Sequence, residues 1–181
     1  MASGKPRGRE NARDMVLSMA VMLALVAVIL IITYRPKNQN VEMVDYAGAV
    51  ALATSQSQLP IFLPKGLPSG SVVTRARFES ESYGRAGDVR WYLGLNTNKD
   101  QYLALWQSNG ATGQIVKSVS GNGICVGAVV INGETWKKCE QLRPLTRVLF
   151  RVSNDVTSVV YGTTSWTELK SFTNSLVSAN N

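Results

Sequence analysis

At 181 residues the chain has room for one folded domain beside a membrane segment. Of 19 Lys and Arg, six (Lys5, Arg7, Arg9, Arg13, Arg35 and Lys37) crowd the start, against Glu10 and Asp14 alone, so the basic balance belongs to one end and excludes a nucleic-acid footprint on the folded surface. Histidine is absent and the cysteines number two, which excludes imidazole base catalysis and imidazole or thiolate metal centres; no metal and no cofactor is expected.

Residues 1–14 read as a basic cytoplasmic tail. From Met15 to Tyr34 the chain is apolar and uncharged, with Ser18 and Thr33 its small polar intrusions. Twenty residues at 1.5 Å each give about 30 Å, the thickness of a bilayer core, so 15–34 is predicted to be a transmembrane helix. A cleaved signal peptide has a shorter apolar core and a small-residue cleavage site; here Tyr34-Arg35-Pro36-Lys37 follows. Basic residues before the span orient the N-terminus to the cytoplasm and place the rest outside the plasma membrane. Ala20, Ala24 and Ala27 line one helix face, where small side chains let a partner membrane helix approach; alanine is also ordinary in any span.

Residues 35–58 read as a tether followed by a short helix, with Asp45 at its start and Val44, Ala47, Val50, Ala51 and Ala53 on one face. Residues 59–181 are expected to form the outer domain. Pro60, Pro64, Gly66, Pro68 and Gly70 make 59–70 a turn-rich loop. Eight strands are then predicted, at 72–80, 89–95, 102–107, 114–119, 123–131, 134–141, 147–152 and 156–162, with turns at Asn109-Gly110, Gly121-Asn122-Gly123 and Asn132-Gly133. In the first, Val72, Ala76 and Phe78 share one face, opposite Val73, Arg75, Arg77 and Glu79; in the second, Val89, Trp91, Leu93 and Leu95 oppose Arg90 and Tyr92. A capping box at Ser165 and Glu168 opens a final helix carrying Trp166, Leu169, Phe172, Leu176 and Val177. The fold class is α+β, a mainly antiparallel sheet with a packed C-terminal helix.

The order of motifs resembles an actinobacterial family of single-pass membrane proteins of unknown function. The resemblance rests on Gly8-Arg9-Glu10-Asn11, Asp14-Met15, Tyr34-Arg35-Pro36, the run from Pro64 to Gly70, Trp91-Tyr92-Leu93-Gly94 before Tyr102, Trp106-Gln107-Ser108-Asn109-Gly110, Val160-Tyr161-Gly162-Thr163-Thr164 and Glu168-Leu169. It implies a membrane-anchored component of the cell envelope and brings no assigned chemistry.

No catalytic constellation emerges, and an enzyme is not expected. Glu79 and Glu81, sharing a strand face with Arg75 and Arg77, read as charges that blunt an exposed edge. Gly121, Gly123 and Gly127 read as hairpin turns. Arg147 and Arg151 share a strand face while Val148, Phe150 and Val152 point inward; with Arg143 they make either a basic patch for anionic headgroups or an acidic partner, or a solvated strand face. Tyr92 and Trp106, with Tyr83 and Tyr102, make a partner-binding surface if exposed together; core packing accounts for at least some of them.

Cys125 and Cys139 are expected to be disulfide-bonded across a hairpin. A two-residue turn at Asn132-Gly133 leaves them on opposite faces. A three-residue loop of Ile131, Asn132 and Gly133 pairs Val130 with Glu134 and sets the cysteines face to face. The functional expectation is a non-enzymatic accessory subunit or interaction module of a larger membrane complex, respiratory or envelope-building. It touches the bilayer through its helix and no nucleic acid. The alternative is a binding domain for an envelope lipid, glycan or peptide; the sequence specifies no small-molecule ligand.

Overall fold

The computed structural model describes residues 8–33, 44–57, 59–81 and 87–179. The chain divides into two units, Met1–Asn40 and Val41–Asn181. In the first, helix α1 (Gly8–Thr33) contains a stretch, Arg13–Thr33, with a mean hydropathy of 3.1, long and apolar enough to cross a membrane. Its polar intrusions are satisfied within the helix: the Ser18 hydroxyl donates to the Met15 carbonyl at 2.9 Å and Thr33 to the Ile29 carbonyl at 2.7 Å. Tyr34, Arg35, Lys37 and the tether lie outside the described residues.

The second unit opens with α2 (Tyr46–Gln56), whose N-cap Asp45 accepts a hydrogen bond from the Gly48 amide. Its inward face is Tyr46, Ala49, Val50 and Ala53, so α2 is part of the folded domain; Ala47 and Ala51, expected on that face, are exposed. Within the predicted loop lies a short strand, β1 (Phe62–Pro64), which pairs antiparallel with the last one, β9 (Leu176–Ser178). The final helix therefore stops at Asn174, and Leu176 and Val177 belong to a strand. Three residues on each side are too short to show an alternation.

The main sheet has seven antiparallel strands: β2 (Val72–Glu79), β3 (Arg90–Asn96), β4 (Tyr102–Ser108), β5 (Ile124–Ile131), β6 (Glu134–Leu142), β7 (Leu145–Ser153) and β8 (Val156–Gly162), in the order β2-β3-β4-β8-β7-β6-β5. Two meanders thus meet where β8 pairs with β4. The chain passes between them through α3 (Thr112–Ser120), where a strand was expected; Ile115 and Val119, four apart, point at the sheet, and Gly121 with φ +55° ends the helix. In so short a segment rich in β-branched residues, helical and strand patterns overlap.

One sheet face carries the main core, Trp91, Leu93, Leu95, Leu103, Leu105, Trp136, Leu149 and Val160, under α2, the β1–β9 pair and α4 (Trp166–Asn174). On β2 the core residues are Val73, Ala76 and Phe78, with Val72 exposed. A bulge between Val73 and Arg75 inserts one residue and switches the alternation there. On the other face Ile115 of α3 packs with Cys139, Val148 and Val159.

At α4 the capping box forms as expected: the Ser165 hydroxyl accepts from the Glu168 amide, and the Glu168 carboxylate accepts from the Ser165 amide at 3.1 Å. Ser165→Ala is expected to cost about 1 kcal/mol in urea unfolding. Hydrogen bonding to Lys99, then to Ser165, lowers the Glu168 carboxyl below its ordinary range. Its small, solvent-screened contribution is full above that range and fades as pH falls through the lowered value, so the stability gap to Glu168→Gln narrows in acid.

Candidate functional site

The half of the second face formed by β2, β3 and β4 lies beside α3, and strand register arranges its side chains in rows. Arg75, Gly94, Ala104 and Tyr161 form one row; Arg77, Tyr92, Trp106 and Val159 the next; Glu79, Arg90, Ser108 and Thr157 the third. Gly94 and Ala104, small buried residues between Arg75 and Tyr161, leave room that tyrosine side chains fill. A Cβ on Gly94 would lie 2.9 Å from the Tyr102 hydroxyl and 3.3 Å from the Tyr92 ring.

Tyr92 hydrogen-bonds both Tyr102 and Tyr161 through their hydroxyls, the latter at 3.0 Å. Burial first, then Tyr92, pushes Tyr102 and Tyr161 well above the ordinary tyrosine range, so both phenols stay protonated at physiological pH. The three hydroxyls thus hydrogen-bond among themselves. The Tyr92 ring meets the edge of Trp106 at 6.5 Å between centroids.

Around this floor stand three guanidinium groups and one carboxylate. Arg77 is 2.8 Å from Glu79 and Arg90 is 3.6 Å from the same side chain. Arg90 lies over Trp106 at 5.2 Å and Arg75 over Tyr92 at 6.0 Å. Among the described residues Arg75 makes no ion pair. Together these side chains line a shallow cavity of about 250 Å³.

Of the residues singled out in the sequence, Tyr92 and Trp106 come together here with Tyr102, and Tyr83 lies outside the described residues. Arg147 and Arg151 do share a face, but it is the core face, with Leu149 between them. Arg147 pairs with Glu140 at 3.1 Å and donates to the Thr164 carbonyl; Arg151 pairs with Glu134 at 2.9 Å between the Phe62 and Trp136 rings. Neither forms a surface patch with Arg143, which is exposed in the β6–β7 turn; of the residues expected inward, Val152 is exposed while Val148 and Phe150 pack beneath α3. Ala20, Ala24 and Ala27 lie on α1.

Arg75, Arg77 and Arg90 had been read only as outward strand charges, and Tyr161 and Gly94 were not singled out as functional. The signal that joins them is pairing register, which no single strand carries. The motif residues split by face: Trp91 and Gln107 turn inward, Gln107 accepting from the Phe62 amide at 2.7 Å and donating to Ser158, while Tyr92, Trp106 and Tyr161 line the open surface.

The cysteines face each other on β5 and β6 with an S–S distance of 2.02 Å. The register differs from the expected one. Ile131 pairs with Glu134 across a two-residue turn with positive φ at Asn132 and Gly133, and the extra residue enters between Cys125 and Gly127, where Gly127 has φ +129°. Gly127 thus belongs to a bulge and Gly121 to a helix end, and neither is a hairpin turn.

The fold and this surface define an α+β domain built on a seven-stranded antiparallel sheet with an aromatic and arginine-lined open face, preceded by a helix able to cross a membrane. The chain belongs to the family described as protein of unknown function DUF4245, whose match spans residues 7–176. No curated protein and no solved structure matches it.

Proposed function

We propose that the protein is a non-enzymatic accessory subunit or interaction module of a larger membrane complex, anchored by α1 with its N-terminus cytoplasmic and its folded unit outside the plasma membrane. An actinobacterial envelope, in which the complex is a respiratory or envelope-building assembly, suits the resemblance. The observation that carries this reading is the open half-sheet: exposed Arg75 and Arg77 beside half-buried Tyr92 and Trp106, the side chains that dominate protein interfaces, around a depression too shallow to enclose a ligand. A disulfide suits an oxidising compartment.

The alternative, a domain that binds a small envelope ligand, draws support from a second cavity of about 390 Å³, lined by Thr97, Asn98, Ser171 and Ser175 and crossed by the Lys99–Glu168 pair at 2.8 Å. Mild-detergent purification of the tagged native protein separates the two. Stoichiometric co-purification of one membrane complex supports the subunit; a monomer carrying a lipid or glycan overturns it. Replacing Ala20, Ala24 and Ala27 with leucine is expected to leave insertion intact and weaken co-purification severalfold, about 1 kcal/mol, because larger side chains hold helices apart. Unchanged recovery of the complex assigns the contact to the outer domain.

A further inference from the structure

We infer that one end of the main sheet docks on the bilayer: Ile124, Leu142 and Leu145 enter the headgroup layer of an anionic membrane while Arg143 and Lys117 take its phosphates. From the proposed reading this takes only that α1 crosses the membrane, and it holds with or without a bound partner complex. Leu142 and Leu145 are the last pair of β6 and β7, with Arg143 and Pro144 as the turn between them, and all four are exposed. Two residues inward, Ile124 opens β5 opposite Glu140, which in turn lies opposite Arg147. Alternation along the strands puts Ile124, Leu142 and Leu145 on one sheet face. The core of that face does not reach them: Leu142 is 74% exposed and Ile124 73%, against 0% for Leu149 farther along β7.

Charge at this end favours an anionic surface. Arg143, and Lys117 in the last turn of α3, are exposed and make no ion pair among the described residues. With Ile124 and Leu142 they border a cavity of about 440 Å³. The carboxylate that also lines it, Glu140, is taken by Arg147 at 3.1 Å, so two cations remain in excess. A stable protein interface buries about 800 Å² of each partner. Three apolar side chains at a turn and a strand end offer far less, but they suit a membrane interface, where apolar tips sit below the phosphates and long basic side chains reach up to them. The chain itself supplies the proximity. Ten residues, 34–43, join the last described residue of α1 to the first of the folded unit, and a fully extended chain of that length reaches at most about 40 Å. A bilayer crossed by α1 is therefore always within reach, and at so high an effective concentration a weak contact is populated.

The test places the full chain in nanodiscs of equal parts phosphatidylcholine and phosphatidylglycerol, with a nitroxide attached through Pro144→Cys, which keeps both leucines and Arg143. Lipid-soluble oxygen should relax this label more than a water-soluble nickel chelate does. A label attached through Thr135→Cys, exposed near the opposite end of the sheet, should show the reverse. Adding Lys117→Glu and Arg143→Glu should lower the docked fraction of the Pro144 label at least about tenfold, and so should discs of phosphatidylcholine alone. Leu142→Ser with Leu145→Ser should return the label to water. The two pairs test the site independently, so a loss of fold in one, seen by circular dichroism, leaves the other to decide. A label open to the chelate in both lipids, a label shielded from both reagents as a contact between copies of the chain would shield it, or docking indifferent to the charge reversal overturns the inference. A chain that fails to enter the nanodisc removes the anchor and this site together; a chain that enters but leaves its label in water removes only the site.

Discussion

Gly162→Ala is expected to destabilise the outer domain by about 3 kcal/mol, the upper end of the usual cost of overpacking. Gly162 ends β8, the strand that joins the two meanders, and it pairs with Leu103 on one side and Arg147 on the other. A Cβ there would lie 2.1 Å from the Tyr102 carbonyl oxygen and 3.0 Å from the Leu103 Cα. Both are main-chain atoms, so no rotamer change relieves the contact and β4 must move away from β8. Two hydrogen bonds lie in the path of that movement: the Thr163 amide donates to the Tyr102 carbonyl at 2.9 Å, and the Tyr102 amide donates to the Thr163 hydroxyl at 3.0 Å. Tyr102 itself carries part of the hydroxyl cluster, so the same displacement should loosen the open face. Thermal unfolding of the full chain in detergent, followed by circular dichroism, should show a midpoint lower by on the order of 10 °C. Gly113→Ala makes the same chemical change inside α3, where a Cβ meets nothing within 4 Å, and should stabilise by about 0.5 kcal/mol. Equal effects of the two substitutions would show that the close approach at Gly162 does not govern stability.

That glycine illustrates what a sequence exposes and what it conceals. The Trp91, Leu93, Leu95 alternation and the Ser165–Glu168 box were legible because each depends on residues within one turn or one strand. Strand pairing is a relation between distant segments, and the features that depend on it were hidden. Arg147 and Arg151 look like outward charges on their own strand. They face the core because Trp136 and Phe62 supply flat rings for a guanidinium and Glu134 and Glu140 supply carboxylates, and both kinds of partner come from other elements. The candidate site follows the same logic. Tyr92 and Trp106 were visible as aromatics that an interface would use, but the tyrosine cluster packs there because Gly94 and Ala104 fall in the same row and leave room for it.

Replacing Cys125 and Cys139 together with alanine removes the bond, whose loss alone is expected to cost about 3 kcal/mol, the loop-entropy value for a closed loop of this size. The figure is an upper one, because the hairpin turn at Asn132-Gly133 already restrains part of that loop in the unfolded chain. Position decides where the loss falls. Among the described residues β5 is an edge strand paired with β6 alone, and the bulge between Cys125 and Gly127 interrupts their pairing just before the bond. Beyond the bulge the pairs that remain are Cys125 with Cys139 and Ile124 with Glu140, too few to hold the strand end alone. Cys139 is fully buried against Ile115, Val148 and Val159, so alanine there also forfeits packing beneath α3. Reduced wild-type protein keeps both sulfur atoms and loses only the covalent restraint, which separates the two contributions. Urea unfolding should therefore rank oxidised wild type above reduced wild type and reduced wild type above the double alanine chain. Hydrogen exchange in the reduced protein should rise first at Ile124, Cys125 and Val126 and leave β7 and β8 protected. A free thiol at either position in the mature membrane-inserted protein, read by mass spectrometry without reductant, would remove the bond from the native state and with it the register that sets Cys125 opposite Cys139.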